Sequence, residues 1–521
     1  MILHTTTRPI AATLATIAAA AFAGMFVAWP LLAVVLGPGV QGQAMSDRHW
    51  LNPGLAARTL GVGLLIGVLA TVASLPGAWL IRKWGWAWAA LVAVPMLTPA
   101  YLASSGFNIL RAPGTWMGDW LGEWSRGGSQ WPTLVVGRLL AIVGLSLWAS
   151  PLPAFIIAAG LRTISDDTID ALTLEMGRVR RFWSVLSVCR GSILAGVLVV
   201  TVVMMGSAVP LHLAQMKTVS LLAWLTLLET GSVRAAAASC APIVLLAAGV
   251  GAWAAPKLCT TTNSIPGAEP SEPARVSVSW YGLVIGGSVI VPGVMLPLAL
   301  FASQIRSWEA MQRFWIESGP SIASSLIIAG VVATGCGGLA IATWRTPSRR
   351  VLMGIVAVFV AAALVPGVLV GCAWRMAWQP SWPDSWIMVA LAHVTRFGIV
   401  GVLGGLWLKT IEDKATLDLM HTDGVSTVRG WWQASGVRLV GPWAAAALVA
   451  GVLSLHEIEA AVVVQPAGTL GLPQRLLNDL HQLRMEAMAA AAVWMLLIGL
   501  CLATLGLLVS RGMPSRSKPT E

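Results

Sequence analysis

Twelve apolar runs, each about as long as a bilayer is thick, constrain this chain more than any other feature. A crossing helix needs roughly 20 mostly apolar residues, because hydrocarbon offers the backbone no hydrogen-bond partners. Such runs are read at 10–36, 57–81, 86–110, 133–160, 191–214 and 233–255, then at 280–303, 320–344, 351–376, 386–408, 440–464 and 485–510. The 521 residues are 57% hydrophobic and 11% charged, against about 25% charged in a soluble domain. So few charges cannot cover a water-facing surface. The expected fold class is all-α and integral to a membrane, with about 12 helices. The first run follows Arg8 and contains an Ala-Phe-Ala that looks like a cleavage site at Ala23, but it continues to Leu36. That is too long for a signal-peptide core, so an uncleaved first helix is expected.

The loops supply an orientation. With the N-terminus in the cytoplasm, 20 of the 33 Lys and Arg fall on the cytoplasmic side, as the positive-inside bias requires. Both termini are then cytoplasmic. The net charge of +11 is explained by this bias, and no nucleic-acid partner is implied. The six cysteines have no metal-ligand spacing and sit in or next to apolar runs, as buried small hydrophobes do.

The chain also repeats. A shift of 247 positions lays Thr163-Ile164 on Thr410-Ile411, Asp166 on Asp413 and Gly177 on Gly424. Two parallel repeats of six helices follow: 1–255 (core 57–255) and 280–521 (core 320–510). The Pro-, Ser- and Thr-rich segment 256–279 reads as a cytoplasmic linker. In each repeat a long cytoplasmic loop lies between the fourth and fifth spans, at 161–190 and 409–439. Each loop begins with carboxylates (Asp166, Asp167 and Asp170; Glu412, Asp413 and Asp418) and continues with Arg178, Arg180 and Arg181 or with Arg429 and Arg438. Acid before base suits a helix dipole, and a central glycine interrupts the helix. Each loop is therefore expected to be two short helices with a bend.

This layout resembles the coupling loop of binding-protein-dependent ABC importer permeases. Asp418-Leu419-Met420 stands where that family has Glu-Ala-Ala, Asp423-Gly424 matches its Asp-Gly, and Asp170 and Gly177 hold similar places in the first loop. Leu455, Glu457, Pro466, Gly468, Thr469-Leu470, Arg475 and Leu480-His481 are similar to the stretch after the family's eleventh span. Val209-Pro210 resembles its Val-Pro, and "SIASSLIIAG", opening the eighth span, is similar to its Asn-Ser-Leu opening. Ala392, His393, Arg396 and Phe397 resemble a motif of the fused ferric-iron type.

The resemblance implies a type I permease fold with both permease domains in one chain, in the bacterial inner membrane. It implies two copies of an ABC ATPase docked at Asp170, Gly177, Asp418, Asp423 and Gly424, and a periplasmic solute-binding protein. The chain would be no enzyme and would hold no cofactor, with ATP bound by the partner. Consistent with this, no GxxxxGK[ST] occurs, and the Gly-rich run Gly335–Ala340 reads as helix packing by small residues. Ferric iron is the implied solute; thiamine, aminoethylphosphonate, polyamines and sulfate are carried by similar permeases.

A charge inside a span is costly and marks a candidate site. Arg396 is one; Glu457 and Glu459, late in the eleventh span, are others. With Pro210 they form a candidate translocation path; the structural reading of Arg396 is that it pairs with a carboxylate or with carbonyls at a helix break. His393 reads as a packing residue, and no metal site is expected. Two other classes compete with the permease reading. A gradient-driven carrier of six plus six helices would need no ATPase. A membrane transferase would need a carboxylate constellation in a loop, and the external acids are scattered.

Overall fold

The computed structural model describes residues 7–36, 53–84, 87–128, 131–162, 164, 166–261, 284, 287–288, 291–378, 385–411, 437–466, 468–482 and 484–512. Among them every regular element is helical. An all-helical chain is the expected outcome for an apolar sequence, since each helix satisfies its own backbone.

The described residues account for part of the twelve expected crossings. Among the described residues six helices are long and apolar enough to cross a membrane, and three bent pairs raise the number to nine. The expected spans at 280–303, 440–464 and 485–510 contain the shorter apolar helices Val291–Ala302, Trp443–Leu455 and Met485–Cys501. The expected spans at 86–110 and 351–376 are broken, by 74° and 113°. The cause is the same in both. Thr98 and Val365 precede Pro99 and Pro366, and a residue before proline is pushed out of the helical region. Both adopt extended backbone, Thr98 at φ −98°, ψ 148° and Val365 at φ −73°, ψ 140°.

Two three-helix groups form the body. Pro53–Trp84 packs against Pro151–Arg162 and Arg190–Gly206; Trp308–Arg345 packs against Trp386–Ile411 and Val437–Leu455. Both groups cross through small residues, which let backbones approach in the absence of a hydrophobic drive between helices. A Cβ on Gly63 would stand 2.9 Å from the Thr201 carbonyl oxygen, and one on Gly451 3.1 Å from that of Ala329. Within the Gly335–Ala340 run, Gly337 lies against Trp443, whose indole donates to its carbonyl at 3.0 Å.

The two groups are stitched together by exchanged helices. Ala241–Thr261, at the end of the first half, packs on Arg349–Leu364 of the second. Met485–Gly512, at the end of the second half, packs on Ala87–Ala93 and the turn Val94–Leu97 of the first. Trp29–Leu36 leans on Gly367–Trp378, and Phe26 stacks on Trp374 at 6.0 Å. Residues that the charge bias assigns to one side also meet in the fold. Arg82 donates to the Ile164 carbonyl at 3.1 Å, Arg162 to that of Ile81 at 3.2 Å, and Lys409 to that of Thr346 at 2.5 Å.

Candidate functional site: a buried ion cluster where broken helices meet

Four helix interruptions converge. Arg190–Gly206 ends at Ser207, and a short turn of helix, Val209–Leu213, resumes with Pro210 as its second residue. Val437–Leu455 ends before His456, and Glu459–Val464 resumes. The Val365-Pro366 break lies against the first, since a Cβ on Gly206 would be 3.5 Å from the Leu364 carbonyl oxygen. The Thr98-Pro99 break is close by, with His456 approaching the backbone of Leu97.

Three charges occupy the meeting point. Arg396 lies mid-way along Trp386–Ile411 and donates from Nη1 to Glu457 Oε1 at 2.5 Å. The same Nη1 is 3.5 Å from Glu459 Oε2. Glu457 and Glu459 are 8% and 5% exposed, so water cannot solvate them and the charges must satisfy one another. Backbone N–H groups fill part of the remaining acceptor capacity, while Glu459 Oε2 has no hydrogen-bond donor among the described residues. Glu457 Oε1 accepts the Ala460 N–H at 2.9 Å. Glu459 Oε1 accepts the N–H groups of Ala208 at 2.7 Å and Val209 at 3.3 Å. Those two donors open the Val209–Leu213 turn and have no partner within their own helix. A carboxylate from the second half therefore caps a broken helix of the first, across 251 positions of sequence.

Gly367 completes the arrangement. A Cβ there would collide with Arg396 Nη1 and stand 2.8 Å from both Glu457 Oε1 and Glu459 Cβ. Glycine after Pro366 is thus the residue that admits the guanidinium. His393, one helical turn before Arg396, meets Ser454 through Nδ1 at 2.8 Å and lies edge-on to Phe397.

Of the residues singled out from sequence, Arg396, Glu457 and Pro210 are brought together, with Glu459 as the link between them. Pro210 is buried behind the two capped N–H groups. Asp170 lies exposed on Asp166–Glu175. Gly177 joins that helix to Arg178–Val188, so the first loop is two short helices with a bend. The bend does not need glycine: Gly177 has φ −62° and ψ 158°, and a Cβ there would meet nothing within 4 Å. Asp418, Asp423 and Gly424 lie outside the described residues. Gly367 and the Ala208 and Val209 N–H groups were not singled out; Pro366-Gly367 inside an apolar run was the available signal. Among the described residues no group of three or more His, Cys, Asp or Glu is placed to hold a metal ion.

No family model matches the chain, and no curated protein matches it.

Proposed function

We propose that this chain is the membrane-spanning permease of an ATP-driven importer, with two permease repeats fused in one polypeptide. Each repeat contributes an equivalent three-helix group, a Pro-broken third span and an interrupted fifth span, and the terminal helices of each repeat exchange onto the other. Two such halves facing one another make an alternating-access device by rocking about their interface. The ion cluster lies at that interface, where charges inside spans characteristically line or gate a path.

The observation that carries the ATP-driven reading is the first long loop. Asp166–Glu175 and Arg178–Val188 turn at Gly177 and present Leu174, Val179 and Trp183 at 89%, 73% and 63% exposure. An apolar ridge bordered by Arg180 and Arg181 fits a groove on a partner protein. A partner pressed against Gly177 accounts for a glycine that the chain's own backbone does not require. Two copies of a separate ATPase at the two loops would supply the energy, and a periplasmic binding protein would deliver the solute, with ferric iron as the solute the sequence resemblance favours. The protein would reside in the bacterial inner membrane with both termini cytoplasmic.

A gradient-driven carrier is the second reading. The buried Arg396–Glu457–Glu459 cluster is its specific support, since carriers route protons and ions through such groups. Gentle solubilisation and affinity purification separate the two. An ATPase subunit recovered with the wild type and lost from Gly177→Trp/Gly424→Trp supports the importer. A folded, monodisperse chain without an ATPase in either sample favours the carrier.

A further inference from the structure

Three segments far apart in sequence enclose an open basin of about 870 Å³: the turn and helix start at 303–318, the stretch 475–487, and Pro113. All three fall on the side that the charge bias places outside. Four guanidinium groups line it, those of Arg306, Arg313, Arg475 and Arg484, together with Glu317, Asp479 and Glu486.

The carboxylates do not cancel the arginines, because two of the three are committed elsewhere or weakened. Glu486 Oε1 accepts the backbone N–H groups of Arg306 and Ser307, at 2.9 and 3.1 Å. It thereby holds the two residues that lead into Trp308–Arg345 and, among the described residues, forms no ion pair with a guanidinium. Asp479 is buried beneath Arg484 at 3.7 Å, and burial pushes its carboxyl above the usual carboxylate range against the pull of Arg475 and Arg484. Glu317 meets Arg475 at 3.2 Å, the shorter of the two carboxylate–arginine contacts described within the basin. Arg313 pairs with Glu309 at 3.9 Å, both well exposed, a contact worth little in water. Arg306 is exposed and has no side-chain partner among the described residues. Arg475 is positioned by its pair, yet its Nε is buried without a hydrogen-bond partner.

We propose that this basin is a binding site for an anion of the phosphate class. Guanidinium forks grip phosphate oxygens with two parallel charge-assisted bonds, a geometry ammonium groups do not offer, and here all four cations are arginines. The volume lies within the range of small-molecule sites, so a phosphate with an organic substituent fits as readily as an inorganic one. The anion would engage Arg306 and Arg313 first and compete with Glu317 for Arg475. The same chemistry is carried by free phosphates in solution and by the headgroup of an anionic lipid at the membrane edge. The proposal does not depend on the importer reading.

The test uses the full chain in nanodiscs of neutral phosphatidylcholine, titrated with pyrophosphate by calorimetry. Arg306→Gln/Arg313→Gln is the principal variant, because both side chains are exposed and neither supports the fold. Arg126→Gln, an exposed arginine outside the basin, is the control. Saturable binding by wild type and control, weakened roughly tenfold or more in the double variant, supports a site for free phosphates. In parallel, native mass spectrometry follows phosphatidylglycerol retained through purification. Retention lost in the double variant, without pyrophosphate binding, supports the lipid headgroup as the source of the same anion. Absence of both, or equal behaviour of wild type and double variant, overturns the proposal.

Discussion

Glu459 of the second half accepts the backbone N–H of Ala208, 251 positions earlier in the first half, at 2.7 Å, and so one side chain caps the start of the short helix Val209–Leu213. Its other oxygen faces Arg396 at 3.5 Å, which ties the cap to the buried ion pair. Removing the side chain strands one buried and one half-buried donor and leaves Arg396 with Glu457 alone. Glu459→Ala should lower the thermal stability of the purified chain more than Glu459→Gln, whose amide oxygen can still accept from Ala208. A gap of about 1–3 kcal/mol is expected between them. Equal stability of the two variants would show that the cap contributes nothing.

Arg396→Met should destabilise strongly, by about 3–5 kcal/mol, because it leaves two carboxylates buried without their cation. Arg396→Met/Glu457→Met should recover part of that loss, since a buried pair replaced as a pair is far less costly than one broken. The check is a double-mutant cycle on melting of the detergent-solubilised chain. Additive losses would mean that the 2.5 Å contact carries no coupling.

Gly367→Ala should cost about 1–3 kcal/mol, because its methyl group occupies the volume of the Arg396 guanidinium. Gly338→Ala is the matched control: nothing lies within 4 Å of a Cβ there, and it should be neutral or stabilising by at most about 1 kcal/mol. Melting temperatures of the two variants side by side decide the matter.

Gly177→Ala should leave the melting temperature of the isolated chain unchanged, since its φ is ordinary and its surroundings are open. Gly177→Trp should do the same to the isolated chain and, on the proposed importer reading, abolish recovery of an ATPase partner. A fall in stability without the partner would place the need for glycine inside this chain.

How far the sequence reaches is clear from particular residues. Arg396, Glu457 and Pro210 stand out in sequence because a charge or a proline in an apolar run is conspicuous by itself. Their meeting is not legible, because it depends on how helices roughly 60 and 250 residues apart cross. Gly367 shows the same limit. It is one of 53 glycines; the proline before it hints at a break, but the guanidinium that makes its lack of a side chain necessary is visible only in the fold. The 113° turn at Pro366 was within reach of local reasoning, yet hydropathy averaged over a span merges both arms into one crossing.

By itself the sequence determined that the chain is helical and belongs in a membrane, where its apolar runs lie, and which loops carry the positive charge. Those properties are local: transfer free energy and backbone satisfaction are set residue by residue, whatever the neighbours. The tertiary structure alone decided that two prolines bend their spans into one place, that Glu459 caps a helix of the other half, and that four arginines from two distant stretches of the chain line one basin. Each of these is a relation between distant segments. Interaction energies that fall off within a few ångströms exist only after the chain has brought those segments together.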